Sequence, residues 1–231
     1  MTGKDIILET RNIVKYFRDP VDFRALNNIS FQIERGQFVS IVGSSGSGKS
    51  TLLYLLSTLD TDYEGEILID NEPLHVKTKN ELAEIRNEKI GFVFQFHYLL
   101  PEFTVLENVM LPALKLGKYS EDEIRKHAYE KLSLLGLEDQ AVKKASKLSG
   151  GQQQRAAIAR ALINNPSIIF GDEPTGNLDS KNAQTVYNIF RELKEKFNQT
   201  ILIVTHDMEM ASKTDRTITL KDGEVIGDEW R

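Results

Sequence analysis

The sequence predicts an α/β fold: a mostly parallel sheet with helices, an antiparallel β subdomain at the N-terminus and an inserted helical subdomain. Three observations carry this. Apolar runs of strand length alternate with amphipathic helical stretches, the pattern of parallel βαβ units. The first 34 residues instead alternate apolar and polar positions with no helix between them. The stretch from Phe96 to about Ser146 carries helix-start signals and no strand pattern.

Composition narrows the class. The chain has 231 residues, 40% hydrophobic and 27% charged, with a net charge of −5. That length suits one domain over 1–231, with a core at about 1–95 and 156–231 and a helical subdomain at about 96–155. No long basic block is present, which disfavours nucleic acid as a partner. There is no cysteine, hence no disulfide, cysteine-bound zinc or iron–sulfur cluster, and a reducing cytoplasm fits. No apolar run approaches the roughly 20 residues that span a bilayer. Met1 to Leu8 hold only a three-residue apolar patch, too little for a signal peptide. Work at a membrane would go through a partner.

Residues 6–17 and 24–34 read as antiparallel strands, with Tyr16 and Phe17 between them. Either aromatic suits the core, and either could stack on an adenine ring. Phe38 to Val42 reads as a buried strand and Leu52 to Leu56 as the start of a helix. Between them lie Gly43, Ser44, Ser45, Gly46, Ser47, Gly48, Lys49, Ser50 and Thr51. Strand, glycine-rich loop and helix, with the G-x-x-x-x-G-K-[ST] spacing, predict a phosphate-binding loop. Its glycines let backbone N–H groups turn toward phosphate oxygens, and the helix N-terminus adds positive charge. Lys49 would reach the β- and γ-phosphates, and the Ser50 hydroxyl would ligate Mg²⁺.

Gly65 to Ile69 reads as a strand, 79–88 as a short helix and Ile90 to Phe94 as a buried strand ending at Gln95. Thr104–Glu107 and Ser120–Glu123 are capping boxes, and Gly136 stops the second helix. Gly150 to Asn164 is a helix ended by Pro166, Ile168 to Phe170 a strand, Lys181 to Phe197 a helix, and Thr200 to Thr205 a strand ending at His206. A hairpin turning at Asp222-Gly223 closes the chain.

Gln95, the pair Asp172-Glu173 and His206 each follow an apolar strand, and in a parallel sheet such residues gather at the ligand edge. Singly, each also fits a solvated loop or helix start. Together with a phosphate loop they divide the work of triphosphate hydrolysis. Asp172 would hold Mg²⁺ through water, and Glu173 would orient or deprotonate the attacking water. His206 would bond the γ-phosphate. Gln95 would touch metal or water at the border of the helical segment. Leu148-Ser149-Gly150-Gly151-Gln152 opens a helix with Ser149 as its cap, which is either an ordinary start or a second anion site. Two anion sites in one chain suggest nucleotides shared between two copies.

These motifs resemble the ATP-binding cassette (ABC) family over essentially the whole chain. Gly43 to Ser50 is similar to Walker A, Leu148 to Gln152 to the family signature, and Ile168 to Glu173 to Walker B with its catalytic glutamate. Gln95 matches the Q-loop, Asn177-Leu178-Asp179 the D-loop and His206 the switch histidine. The resemblance implies a P-loop NTPase (RecA-like) core, ATP and Mg²⁺ as cofactors, and Phe17, with Tyr16 as fallback, against adenine. It also implies a head-to-tail homodimer on ATP binding, with Ser149 and Gly151 of one copy closing on the γ-phosphate at the other's Lys49.

Phe92 to Pro101, Leu106 to Val109 and Asp172 to Ser180 resemble the LolD/MacB branch. That implies an ATPase at the cytoplasmic face of the inner membrane, powering a separate membrane protein, with lipoprotein release as its work. Efflux or another cell-envelope task is the alternative, and a soluble non-transport ABC ATPase a remote one. Tyr98, Leu99, Leu100 and Phe103 would receive the membrane partner, or are buried core. Asp60 to Gly65 departs from the branch, where proline is frequent, with no consequence for chemistry in the sequence.

Overall fold

The computed structural model describes residues 5–18 and 22–231; residues 1–4, read above for a leader pattern, lie outside them. In chain order the elements are β1 (Ile6–Phe17), β2 (Phe23–Glu34), β3 (Phe38–Val42), α1 (Lys49–Leu56), β4 (Glu64–Ile69), β5 (Glu72–Pro73), α2 (Lys79–Lys89) and β6 (Ile90–Val93). Then come α3 (Val105–Leu116), α4 (Glu121–Leu134), α5 (Gly150–Leu162), β7 (Ile168–Asp172), α6 (Ser180–Phe197), β8 (Thr200–Val204), α7 (Met208–Ala211), β9 (Arg216–Lys221) and β10 (Glu224–Trp230). The chain packs as two compact units, Met1–Ala83 with Arg191–Arg231, and Glu84–Phe190.

In the first unit, β1 pairs antiparallel with β2 on one side and β4 on the other, Leu8 facing Ile33 and Ile69. Alternate residues of these strands are buried, as a sheet with one covered face requires. Tyr16 and Phe17 are the last rungs of β1, opposite Arg24 and Phe23, rather than a connection between strands. Aromatic side chains suit a half-buried strand end, and pairing extends to them. All five residues of β3 are buried, because β8 and β9 flank it in parallel register, Ile41 facing Val204 and Ile218. The closing hairpin is present, and its first strand is a parallel neighbour of β3. Asp222 and Gly223 both take left-handed φ, the geometry of a tight two-residue hairpin turn.

The departure at Asp60 to Gly65 has a structural role. The Lys15 ammonium is almost wholly buried, 2.9 Å from an Asp60 carboxylate oxygen and 3.1 Å from one of Asp62. Burial alone lowers the affinity of Lys15 for its proton, but the two carboxylates outweigh it and the net shift is upward.

In the second unit, β6 and β7 run parallel, Val93 facing Gly171. Helices α3, α4 and α5 pack together over Val105, Val109, Ile124, Ala128, Leu132 and Ile158. The two expected capping boxes are formed at Thr104 and Ser120, and each stabilises its helix by about 1 kcal/mol. Gly136, left-handed at φ +63, follows α4.

Candidate functional site

The glycine-rich loop 43–48 lies between β3 and α1 in the first unit. Gly48 precedes α1 with φ +98, and a Cβ there would lie 2.8 Å from both the Ala25 carbonyl oxygen and Leu26 Cδ2. Glycine alone fits, so the tightness of the loop is written into the sequence. The Lys49 ammonium donates to the carbonyls of Gly43 at 2.8 Å and Ser44 at 2.9 Å, which holds the cation across the loop. The first turn of α1 has no acidic side chain, so the helix dipole favours an anion there unopposed. Because β8 runs parallel beside β3, His206 leaves the sheet at the same edge as the loop, and its side chain is exposed. Phe17 is 44% exposed, and the Lys15 ammonium lies 5.3 Å from its ring centre, a cation–π contact that braces the ring. Tyr16 is half-buried.

In the second unit, the β6/β7 register brings Gln95 and the pair Asp172-Glu173 to one edge. Asp172 ends β7 and is 9% exposed. Glu173 has φ +46, a left-handed conformation uncommon outside glycine, and its carbonyl accepts the Gly176 N–H at 2.9 Å. The Gln95 amide donates to Asn177 Oδ1 at 3.3 Å, and Asn177 Nδ2 donates to the Gln95 carbonyl at 3.2 Å. Gln95 Nε2 is thereby engaged, which leaves its amide oxygen as the atom suited to a metal.

Sequence reasoning missed Gln154. It is 1% exposed, and its amide donates to the Pro174 carbonyl at 2.7 Å and the Phe94 carbonyl at 3.3 Å. One side chain thus ties the residue after Glu173 to the residue before Gln95. Gln154 stands in a run of three glutamines, and nothing in that spacing marks it out.

The Ser149 cap forms as read. Its side chain accepts the Gln152 N–H, and the Gln152 side chain accepts the Ser149 N–H at 3.0 Å. A Cβ on Gly151 would collide with the Asn182 side chain. Asn182 donates both its backbone N–H and its amide to Asp179, each at 2.8 Å, so Asp179 and Gly151 meet through it. These donors, the backbone N–H first, hold the Asp179 carboxyl below its ordinary range.

The loop after Gln95 is fixed yet apolar at its surface. Tyr98, Leu100 and Phe103 are exposed and Leu99 is half-buried, so they do not form core. The buried Asn108 clamps Leu100 by accepting its N–H at 2.7 Å and donating to its carbonyl at 3.0 Å. Among the described residues no helix is long and apolar enough to cross a membrane.

A family model described as "ABC transporter" matches residues 26–176. A protein of Chlorobium chlorochromatii (strain CaD3) called lipoprotein-releasing system ATP-binding protein LolD 1 is 53% identical over 201 residues, 87% of this chain and 82% of that protein. The LolD of Aquifex aeolicus (strain VF5) is 49% identical over 222 residues, 96% of this chain and 97% of that one. Among solved structures, dimeric MJ0796, described as a bacterial ABC transporter cassette, matches with a TM-score of 0.89 and 46% identity, covering 97% of this chain and 98% of that one. A dimeric post-hydrolysis state of MJ0796 bound to ADP and Pi matches at 0.88 and 45%, with the same coverage. With a family model spanning from β2 to the turn after Glu173, and relatives matched over most of their length, the chain belongs to the ABC transporter family and is one of its cassettes.

Proposed function

We propose that this chain, an ABC-family ATPase, works at the cytoplasmic face of the inner membrane and powers a separate membrane protein that releases lipoproteins. The observation that carries this reading is the near full-length identity to two ATP-binding proteins of lipoprotein-releasing systems. The exposed loop of Tyr98, Leu99, Leu100 and Phe103 supports a protein partner, because a fixed apolar surface is what a partner helix packs against.

The backbone of residues 43–51 and Lys49 hold the β- and γ-phosphates, and Phe17 stacks on adenine with its exposed ring. The Ser50 hydroxyl, the Asp172 carboxylate and the Gln95 amide oxygen are hard oxygen donors of the kind Mg²⁺ takes. No cluster of three His, Cys, Asp or Glu able to hold a metal occurs among the described residues. That donor set suits an ion whose remaining oxygens come from phosphate and water, and the ion supplies neutralising charge on the phosphates. Glu173 takes a proton from water as its oxygen attacks the γ-phosphorus; the bond to the β-phosphate oxygen breaks, and ADP and phosphate leave. His206 stabilises charge on the γ-phosphoryl oxygens. Ser149, Gly150, Gly151, Gln152 and Asp179 belong to the γ-phosphate side of a second copy, so two chains close on ATP. The dimeric cassettes of similar structure support that arrangement.

Lys49→Ala tests the phosphate loop. In calorimetric titration with ATP the variant loses tight binding, while binding equal to the parent's removes Lys49 from the site.

A further inference from the structure

The loop that follows Gln95 is bound to helix α5 at two points. Tyr98 has φ +45, a left-handed conformation that a bulky aromatic rarely takes, so its surroundings must impose it. The Arg160 guanidinium, on α5, donates to two consecutive main-chain carbonyls, those of His97 at 2.8 Å and Tyr98 at 2.7 Å. These bonds use a half-buried arginine on backbone, and an arginine fork suits two adjacent acceptors as a lysine point charge does not. The second point is Gln154, in the second turn of α5, whose amide donates to the Phe94 carbonyl at 3.3 Å just ahead of the loop. The loop is therefore held at its start by the N-terminal half of α5 and further on by Arg160.

We propose that Arg160 is a positioning residue for ATP turnover, clamping loop 96–100 to α5 so that the loop and the Ser149-Gly150-Gly151 end move as one body. It acts through the loop and the helix, not on nucleotide. The clamp gives a partner that pushes on Tyr98 or Leu100 a direct hold on the residues that close on the γ-phosphate. This rests on the reading that the loop receives the partner and that α5 presents Ser149 to ATP.

The test is hydrogen–deuterium exchange on the full chain, with steady-state ATPase kinetics on the same samples. Arg160→Gln removes both charge-assisted carbonyl contacts, and Arg160→Lys keeps the charge without the fork. In Arg160→Gln, amides of 96–100 and of 149–153 both exchange about tenfold faster or more, the scale of a lost charge-assisted hydrogen bond. With it, kcat falls at unchanged KM for ATP, and Arg160→Lys recovers part of both. Arg160→Lys, intermediate in both readouts, decides the matter if circular dichroism finds Arg160→Gln misfolded. Faster exchange confined to the loop, or an unaltered kcat, overturns the proposal. Wild-type ATP binding by Lys49→Ala would sink the nucleotide reading and leave the exchange result standing.

Discussion

Replacing Gln154 by leucine removes two hydrogen bonds from the centre of the second unit and little volume. The Pro174 carbonyl, bonded at 2.7 Å in a buried setting, loses its donor, which costs about 1–3 kcal/mol. The Phe94 contact is longer, 3.3 Å, and only partly buried, so water replaces it and its loss adds under about 1 kcal/mol. Leucine also removes Gln154 Oε1, which is buried without a partner, and so recovers part of that loss. The net expectation is destabilisation by about 2 kcal/mol. Urea unfolding followed by circular dichroism reads it as a lower midpoint at constant slope. Turnover should fall as well, with little change in KM for ATP, because Pro174 follows Glu173 while the phosphate loop is untouched. Gln154→Glu should be worse, since a carboxylate would face two carbonyl oxygens. Parental stability and turnover in Gln154→Leu would refute the reasoning, and so would a glutamate variant as stable as the leucine one.

Gly48→Ala forces a left-handed alanine against the Ala25 carbonyl and should weaken ATP binding by about tenfold or more, measured by calorimetry; unchanged affinity would contradict the loop geometry. Asp60→Asn should flatten the acid limb of stability against pH. Burial raises the Asp60 carboxyl, but the Asp62 N–H and the Lys15 ammonium outweigh it, so the folded value lies below the unfolded one. Stability from such a group is complete above the unfolded value and is lost as pH falls through the folded one. Lys15 is shifted the opposite way, so its contribution is complete at neutral pH and is lost only in strong alkali, above the ordinary lysine range. Melting midpoints taken from neutral pH downward check this, and parallel acid limbs in parent and variant would remove Asp60 from the account.

The tight glycine loop before α1 and the Ser149 cap are legible in the sequence because their residues are consecutive and their geometry is local. A strand, a glycine that must be left-handed and a following helix leave few alternatives, and a capping box needs only four residues. Alternation and apolar runs likewise expose most strands and helices. Gln154 and Arg160 are illegible for the converse reason. Their partners are backbone carbonyls, which carry no sequence signal, lying about 60 residues earlier in the chain or, for Pro174, 20 residues later. Lys15 is hidden in the same way: a lysine inside a strand looks solvent-facing until Asp60 and Asp62 are folded beside it. The exposure of Tyr98 and Leu100 is also unreadable, since an apolar loop looks the same in sequence whether packed or bare.

The central claim is that the loop at Gly43–Thr51 is half of a site that a second copy completes through Ser149. Glu173→Gln should lower turnover by roughly 10²–10⁴-fold while ATP still binds, and so hold the closed state. Size-exclusion chromatography of that variant with ATP, with and without Ser149→Arg, measures the claim directly. Glu173→Gln is expected to run as a dimer, and adding Ser149→Arg to leave a monomer that still binds ATP. A dimer that persists with arginine at that position would contradict it.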